Sequence, residues 1–275
     1  MQDFTIAVAQ WPVDREKEKN LARTEEFLRW AAGEGVSLCV LPEMFQTPYE
    51  LPMMRSCAEP ADGPTLGRVR GLARDLRLHV VAGSFCEEAA GRLFNSSFVV
   101  GPGGEILGAH RKIHLFDVAL PEVKVKESDV FTPGDQPLVL DLPFAKLGVA
   151  ICYDVRFPGV FRFFEEEGVE VVALPAAFSR TTGEAHWHVL MRSRAVDYQV
   201  YLAAACPAPA AGSSYVAYGH SLVIDPWGAV LAEAGEGAER ILARASAERI
   251  ERVRRELPLL AHRRPDLYDR WSRDG

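Results

Sequence analysis

Three side chains that together could open an amide each stand at or near the end of a run that reads as a strand. Cys152 follows Leu147-Gly148-Val149-Ala150-Ile151 and precedes the polar turn Tyr153-Asp154-Val155-Arg156. Glu43 follows Val40-Leu41-Pro42, and Lys112 lies in Arg111-Lys112-Ile113-His114-Leu115-Phe116-Asp117, near the end of a third run. Strand ends of α/β chains are where a reactive group can face a crevice while a sheet holds it rigid. A free thiol, with a pKa of about 8.5, is mostly protonated at neutral pH, so a nucleophilic cysteine needs a base or a cation nearby. A carboxylate can take the thiol proton, and the thiolate can then attack a carbonyl carbon. An ammonium, with a backbone N–H such as that of Tyr153, can hold the resulting oxyanion. The same carboxylate can protonate departing ammonia and activate the water that clears the thioester. Nothing in this scheme requires a metal or a cofactor. Taken singly, each residue also has an ordinary explanation: a buried core thiol, a solvated strand-end glutamate, a solvated lysine.

The elements that must position these groups alternate in type along the chain, which is the pattern of an α/β fold. Phe4–Gln10 reads as a strand. Leu21, Phe27, Leu28 and Ala31 recur at helical spacing up to Gly33, and Ser37–Leu41 is the strand that delivers Glu43. A helix is expected from about Thr65 to Leu76, followed by strands at His79–Phe85, Leu93–Val100 and Ile106–Leu115, with Gly101-Pro102-Gly103-Gly104 turning the chain between the last two. Asp117 to Pro137 holds Pro121, Pro133 and Pro137 with no clear period and reads as a long loop, of a length that is often functional. Lys146–Ile151 is a strand feeding Cys152. Pro158 suits the first turn of a helix to Gly168, and Val169–Pro175 is a buried strand. A helix over Glu184–Gln199 precedes strands at Tyr201–Cys206, Tyr215–Ile224, Ala229–Ala234 and Arg240–Ala245, then a last helix from Ala247 to Leu257. No repeat, low-complexity tract or linker-like shift in composition marks a boundary, so one domain over 1–275 is expected.

Composition narrows the function classes. With 48% hydrophobic residues over 275 positions, the chain can bury a large core. A net charge of −7 gives no basic footprint for nucleic acid or anionic lipid. The first residues lack the cationic start and long apolar stretch of a signal peptide, and no window is long and apolar enough to span a bilayer. The five cysteines, Cys39, Cys57, Cys86, Cys152 and Cys206, are odd in number and show no CxxC spacing. They read as reduced thiols of a cytoplasmic protein.

Other constellations have weaker claims. Cys152 with His220 could suggest a papain-like pair, but no local signature of that kind is present, and His220 reads as structural. His186 and His188 look like a metal pair, yet two residues apart on a helix they point to different faces. Arg252, Arg254, Arg255, His262, Arg263 and Arg264 read as a solvated helix face and a docking segment for a partner subunit.

Leu41-Pro42-Glu43, Arg111-Lys112-Ile113-His114-Leu115 and Gly148-Val149-Ala150-Ile151-Cys152-Tyr153-Asp154-Val155-Arg156-Phe157-Pro158 resemble the three signature segments of the nitrilase superfamily. Further likeness runs through Thr182-Gly183-Glu184-Ala185-His186-Trp187 and Gly219-His220-Ser221-Leu222-Val223-Ile224-Asp225-Pro226-Trp227-Gly228 to Arg264-Pro265-Asp266-Leu267-Tyr268, and so covers nearly the whole chain. The resemblance implies a single-domain, four-layer αββα sandwich that brings Glu43, Lys112 and Cys152 together, in a homodimer or larger homo-oligomer. It adds Glu127, in Val125-Lys126-Glu127-Ser128, as a second catalytic carboxylate. Within the superfamily the chain most resembles the omega-amidase branch, on His114-Leu115-Phe116-Asp117, Phe178-Ser179-Arg180-Thr181-Thr182-Gly183 and Arg192-Ser193-Arg194-Ala195-Val196-Asp197. That likeness implies a small-molecule amide substrate, the terminal amide of 2-oxo-dicarboxylic acid monoamides, with Tyr49, Tyr153, Arg156, Phe178 and Thr182 around it. Deaminated-glutathione amidases share nearly the same segments; N-carbamoyl hydrolases and true nitrilases share the triad but fit the rest of the chain less well. A non-catalytic scaffold is expected to have lost one of the three groups, and all three remain.

Overall fold

In the computed structural model, which describes residues 1–271, strand β1 is Phe4–Gln10. Its side chains alternate between two apolar clusters, Phe4, Ile6 and Val8 in one and Ala7 and Ala9 in the other. A period of two with both faces apolar forms a strand that must be covered on both sides. The chain continues through α1 (Lys17–Gly33), β2 (Leu38–Val40), α2 (Leu51–Ser56), α3 (Pro64–Leu76), β3 (His79–Val81), β4 (Phe85–Ala89), β5 (Arg92–Val100) and β6 (Ile106–Arg111). A hairpin of β7 (Asp117–Ala119) and β8 (Lys124–Lys126) leads into a short 3₁₀ turn, Glu127–Asp129. Then come β9 (Leu138–Asp141), β10 (Lys146–Val149), a 3₁₀ turn at Cys152–Arg156, α4 (Pro158–Glu166), β11 (Val171–Pro175), α5 (Arg180–Tyr198), β12 (Tyr201–Ala205), β13 (Leu222–Ile224) and β14 (Val230–Glu233). The described chain closes with β15 (Glu239–Ala245), α6 (Ala247–Glu256) and α7 (Pro265–Trp271).

Two sheets result. In the first, β1, β2 and β3 run parallel, β15 pairs antiparallel with β1, and β5 pairs antiparallel with β3, β4 and β6. The second has the order β14-β13-β12-β11-β10-β9, with β10, β11 and β12 parallel at its centre. Val8, Val40 and Val81 of the first sheet share one buried cluster with Val149, Ala173 and Ala203 of the second. Phe27 and Leu28 of α1 and Val69 and Leu72 of α3 cover the outer face of the first sheet. Phe161 and Phe164 of α4 and Trp187 and Met191 of α5 cover the second. The layers are therefore αββα, as the family resemblance implied.

Several expectations change. Asp117–Pro137 is not a structureless loop, because its hairpin and 3₁₀ turn fold inward and bury Glu127 completely. Only Leu222–Ile224 of the strand expected over Tyr215–Ile224 forms, since Tyr215 is drawn into the site, where its hydroxyl donates to Ala177 O. His79–Phe85 is split at Gly83, whose φ is +49° and where a Cβ would lie 2.1 Å from Pro42 O. That close approach packs the break against the segment that delivers Glu43. Arg254 donates to Gln199 O and Val169 O, and Arg263 pairs with Glu165, so these two basic residues are engaged within their own chain rather than freely solvated. Helix α2 was not expected, since only Met54 of its residues is buried and no apolar period announces it.

Candidate active site

Glu43, Lys112 and Cys152 converge at strand ends of the two large sheets, and Glu127 reaches them from the 3₁₀ turn after the β7–β8 hairpin. Glu43 leaves β2 through Leu41-Pro42, and its N–H donates to Ala176 O, just beyond β11 of the other sheet, at 3.3 Å. Lys112 follows β6, its N–H donating to Asn95 O at 2.8 Å and its carbonyl accepting from Gly134 N–H at 2.8 Å. The Lys112 ammonium donates to Glu43 Oε1 at 3.0 Å and lies 2.9 Å from Glu127 Oε2, and all three side chains are fully buried. Glu127 is held in turn by the Tyr49 hydroxyl at 2.6 Å and the Phe116 N–H at 2.6 Å. Asn95 Nδ2 donates to Glu43 Oε1 at 2.8 Å, while among the described residues Glu43 Oε2 has no hydrogen-bond partner.

This arrangement sets the charges. Burial pushes the Lys112 ammonium toward losing its proton, but the charges of Glu127 and Glu43 more than reverse that, and its pKa is raised. Burial also raises the Glu43 carboxyl above its ordinary 4.5; Lys112 opposes the rise and Glu127 adds to it. The Cys152 thiol is pushed well up, first by burial and then by Glu43, with Lys112 opposing. The resting nucleophile is a thiol beside a proton-hungry carboxylate, and the unpartnered lone pairs of Glu43 are available to it.

Cys152 has a φ of +45°, in the left-handed region that a side chain makes costly. Asp154 is the brace for this turn. Its Oδ2 accepts from Ile151 N–H at 3.1 Å and His110 Nε2 at 2.9 Å, and its Oδ1 accepts from His114 N–H at 2.9 Å and His114 Nδ1 at 2.8 Å. Burial alone would raise Asp154, yet these donors hold its carboxyl far below the usual carboxylate range. The strained turn therefore rests on an anion anchored to β6 and the segment after it.

A narrow cleft at Cys152 is lined by Phe116, Tyr153, Arg156, Ala177, Phe178, Thr182 and Tyr215. A larger outer cavity of about 920 Å³ shares Tyr215 with it and reaches Tyr49, Lys124, Ser179 and Arg180. Tyr153, Arg156, Phe178 and Thr182 line the same cleft as Cys152, whereas Tyr49 lies beyond that cleft, bonding Glu127 and lining the outer cavity. Arg156 does not pair with Asp154. Its guanidinium sits over the Phe178 and Tyr153 rings at 5.1 and 5.8 Å, and Nη1 is 3.3 Å from His186 Nδ1. Among the described residues no carboxylate lies within ion-pair range of it. Residues missed in the sequence are Asn95, Tyr215 and the carboxylate-binding pair His110 and His114. Asn95 alone carried a signal, as an amide inside the apolar run Leu93–Val100.

The chain matches the carbon-nitrogen hydrolase family model over residues 5–255. It is 40% identical to the omega-amidase NIT2 of Danio rerio and 38% identical to that of Homo sapiens, over 98% of this chain and 97% and 98% of the relatives. Among solved structures it is similar to Saccharomyces cerevisiae Nit3, a member of branch 10 of the nitrilase superfamily, with a TM-score of 0.87, 36% identity and coverage of 96% of this chain and 97% of that one. With its two-sheet sandwich, its strand-end cysteine and this match across nearly its whole length, the chain belongs to the carbon-nitrogen hydrolase family.

Proposed function

We propose that this chain is an omega-amidase, releasing ammonia from the terminal amide of 2-oxo-dicarboxylic acid monoamides such as 2-oxoglutaramate and 2-oxosuccinamate. Glu43 takes the Cys152 proton as sulfur attacks the amide carbon. The oxyanion is held by the Lys112 ammonium and the Tyr153 N–H. Glu43 then protonates the leaving ammonia and afterwards draws a proton from the water that hydrolyses the thioester. Glu127, with Tyr49, keeps Lys112 charged and aimed. Curated relatives that carry the omega-amidase name support this reading over nearly the full chain.

The observation that carries the substrate class is Arg156, a half-buried guanidinium in the same cleft as Cys152 with no carboxylate partner among the described residues. A planar guanidinium binds a carboxylate through two parallel hydrogen bonds, so the favoured substrate has a carboxylate at one end and an amide at the other. The test is ammonia release from 2-oxoglutaramate, 2-oxosuccinamate, glutamine, deaminated glutathione and nitriles. Hydrogen bonds to charged groups contribute about 1.5–3 kcal/mol, so Arg156→Ala should lose roughly ten- to more than a hundredfold in kcat/KM for the acidic amides. A neutral amide of equal length should lose much less. Equal losses on both, or deaminated glutathione as the faster wild-type substrate, would overturn the assignment and leave the Cys152 mechanism standing.

The chain is further proposed to act as one domain, in the cytoplasm, as a homodimer or larger homo-oligomer. Its free cysteines suit a reducing compartment. Exposed Val189 on α5 and Trp227, Val230 and Leu231 around the β13–β14 hairpin offer apolar surface to a second copy. Among the described residues no helix is long and apolar enough to cross a membrane.

A further inference from the structure

Helix α5 and the edge strand β14 carry a second group of chemically capable side chains that the amide reaction does not use. His188 lies on α5, Glu233 ends β14, and His220 precedes β13. His188 Nε2 is 2.7 Å and His220 Nδ1 is 3.1 Å from the same carboxylate oxygen, Glu233 Oε1. All three ligand atoms lie within 4.8 Å of one another. A tetrahedral ion about 2.0–2.2 Å from its ligands spaces them by roughly 3.4 Å, so small side-chain rotations suffice to close around one. In the single chain the residues are partly exposed, at 40%, 24% and 31% for His188, His220 and Glu233, so an ion can reach them in the unassembled subunit.

The backbone supplies an independent sign. His220 has a φ of +56°, a left-handed conformation held by its N–H to Gly235 O at 3.1 Å and by Trp187 Nε1 to its carbonyl at 2.7 Å. Its ring also stacks on Tyr218 at 4.4 Å. The imidazole is therefore presented by main-chain bonds and stacking, at a conformational cost of the kind found at functional sites. Glu233, moreover, pairs with no lysine or arginine among the described residues. His186, the partner considered for His188 in the sequence, is engaged with Arg156 instead.

We propose that His188, His220 and Glu233 bind a divalent transition-metal ion of the Zn²⁺ class, bracing α5 against the β13–β14 hairpin. Two imidazole nitrogens and one carboxylate favour Zn²⁺, Co²⁺ or Ni²⁺ over Mg²⁺ and Ca²⁺, which prefer all-oxygen shells. None of the three residues lines the cleft at Cys152. The ion steadies the helix and takes no part in amide hydrolysis.

The test is titration of the metal-stripped full-length protein with Co²⁺, in wild type and in a Cys152→Ala background that removes the catalytic thiol as a competitor. One Co²⁺ per chain is expected in both, with a spectrum of nitrogen and oxygen ligands, no thiolate charge-transfer band, and displacement by Zn²⁺. Zn²⁺ should raise Tm in both. Loss of an outer-shell partner alone weakens metal sites by about 10–100-fold, so His188→Ala should weaken binding by at least about a hundredfold while metal-free turnover stays at the wild-type level. His220→Asn should do the same, since Asn tolerates left-handed backbone. Absence of saturable uptake, uptake through a thiolate, or equal affinity in wild type and His188→Ala would overturn the proposal.

Discussion

Glu43 and Asp154 are both carboxylates without solvent exposure, each just beyond a parallel strand, yet they titrate in opposite directions. The difference lies in their donors and in the Glu127 charge that faces Glu43. Asp154 has four, two on each oxygen, and is an anion by construction. Glu43 has two donors on Oε1 and none on Oε2, so desolvation wins and its affinity for a proton rises. Burial alone therefore does not decide what a carboxylate can do. A saturated one is a brace, and an unsaturated one is a base.

The sharpest way to break this contrast is to neutralise the base. Glu43→Gln keeps the shape and one acceptor but cannot take the thiol proton, so kcat should fall by about a hundred- to ten-thousandfold. Glu127 remains as the counter-charge to Lys112, so the fold should survive the change; a variant that unfolds more easily while still turning over would make Glu43 a structural group. Next in size is Lys112→Met, which removes the cation facing the oxyanion. Turnover should fall roughly a hundred- to a thousandfold, and steady-state kinetics at wild-type rates would reduce Lys112 to a counter-ion.

Asp154→Asn should act on the fold first. Two of the four donors would face an amide NH₂, and the loss should be about 3 kcal/mol by denaturant titration at neutral pH. Since the folded pKa of Asp154 lies below its ordinary 3.8, its contribution is full above that value and is lost as pH falls below it toward the folded value. Wild type and variant should accordingly converge in stability in that acid range, and a gap independent of pH would contradict the charged brace. The smallest effect is in the rate profile. Glu43 must be ionised to accept the proton, so kcat/KM should fall as pH drops through a limb centred above 4.5, the ordinary value, and belonging to the coupled site. A limb at or below that value would mean Glu43 is as well satisfied as Asp154.

Much of this site was visible in single residues. Val8 alternating with Ala7 and Ala9, and the apolar runs before Glu43 and Cys152, identify strands because side chains alternate at every second position whatever the surroundings. Strand ends then locate reactive groups, and resemblance named the base, the cation and the nucleophile among them. Glu127 was less legible, since Asp117–Pro137 has no period. Its hairpin is too short to leave one, and its carboxylate becomes functional only after folding inward onto Lys112.

What the sequence determined by itself was the order of the main strands and helices, the apolar faces of the sheets and the side-chain types able to do chemistry, all of which follow from local spacing and residue type. What only the tertiary structure decided was which groups meet. Asp154 finds His110 and His114 rather than Arg156, Arg156 is left open to the cleft, and His188 meets His220 and Glu233 rather than His186. These partners come from elements far apart in the chain, and periodicity carries no information about which pairs desolvate together. Since the number of donors reaching each oxygen sets proton affinity, the distinction between base and brace belongs to the packed sandwich.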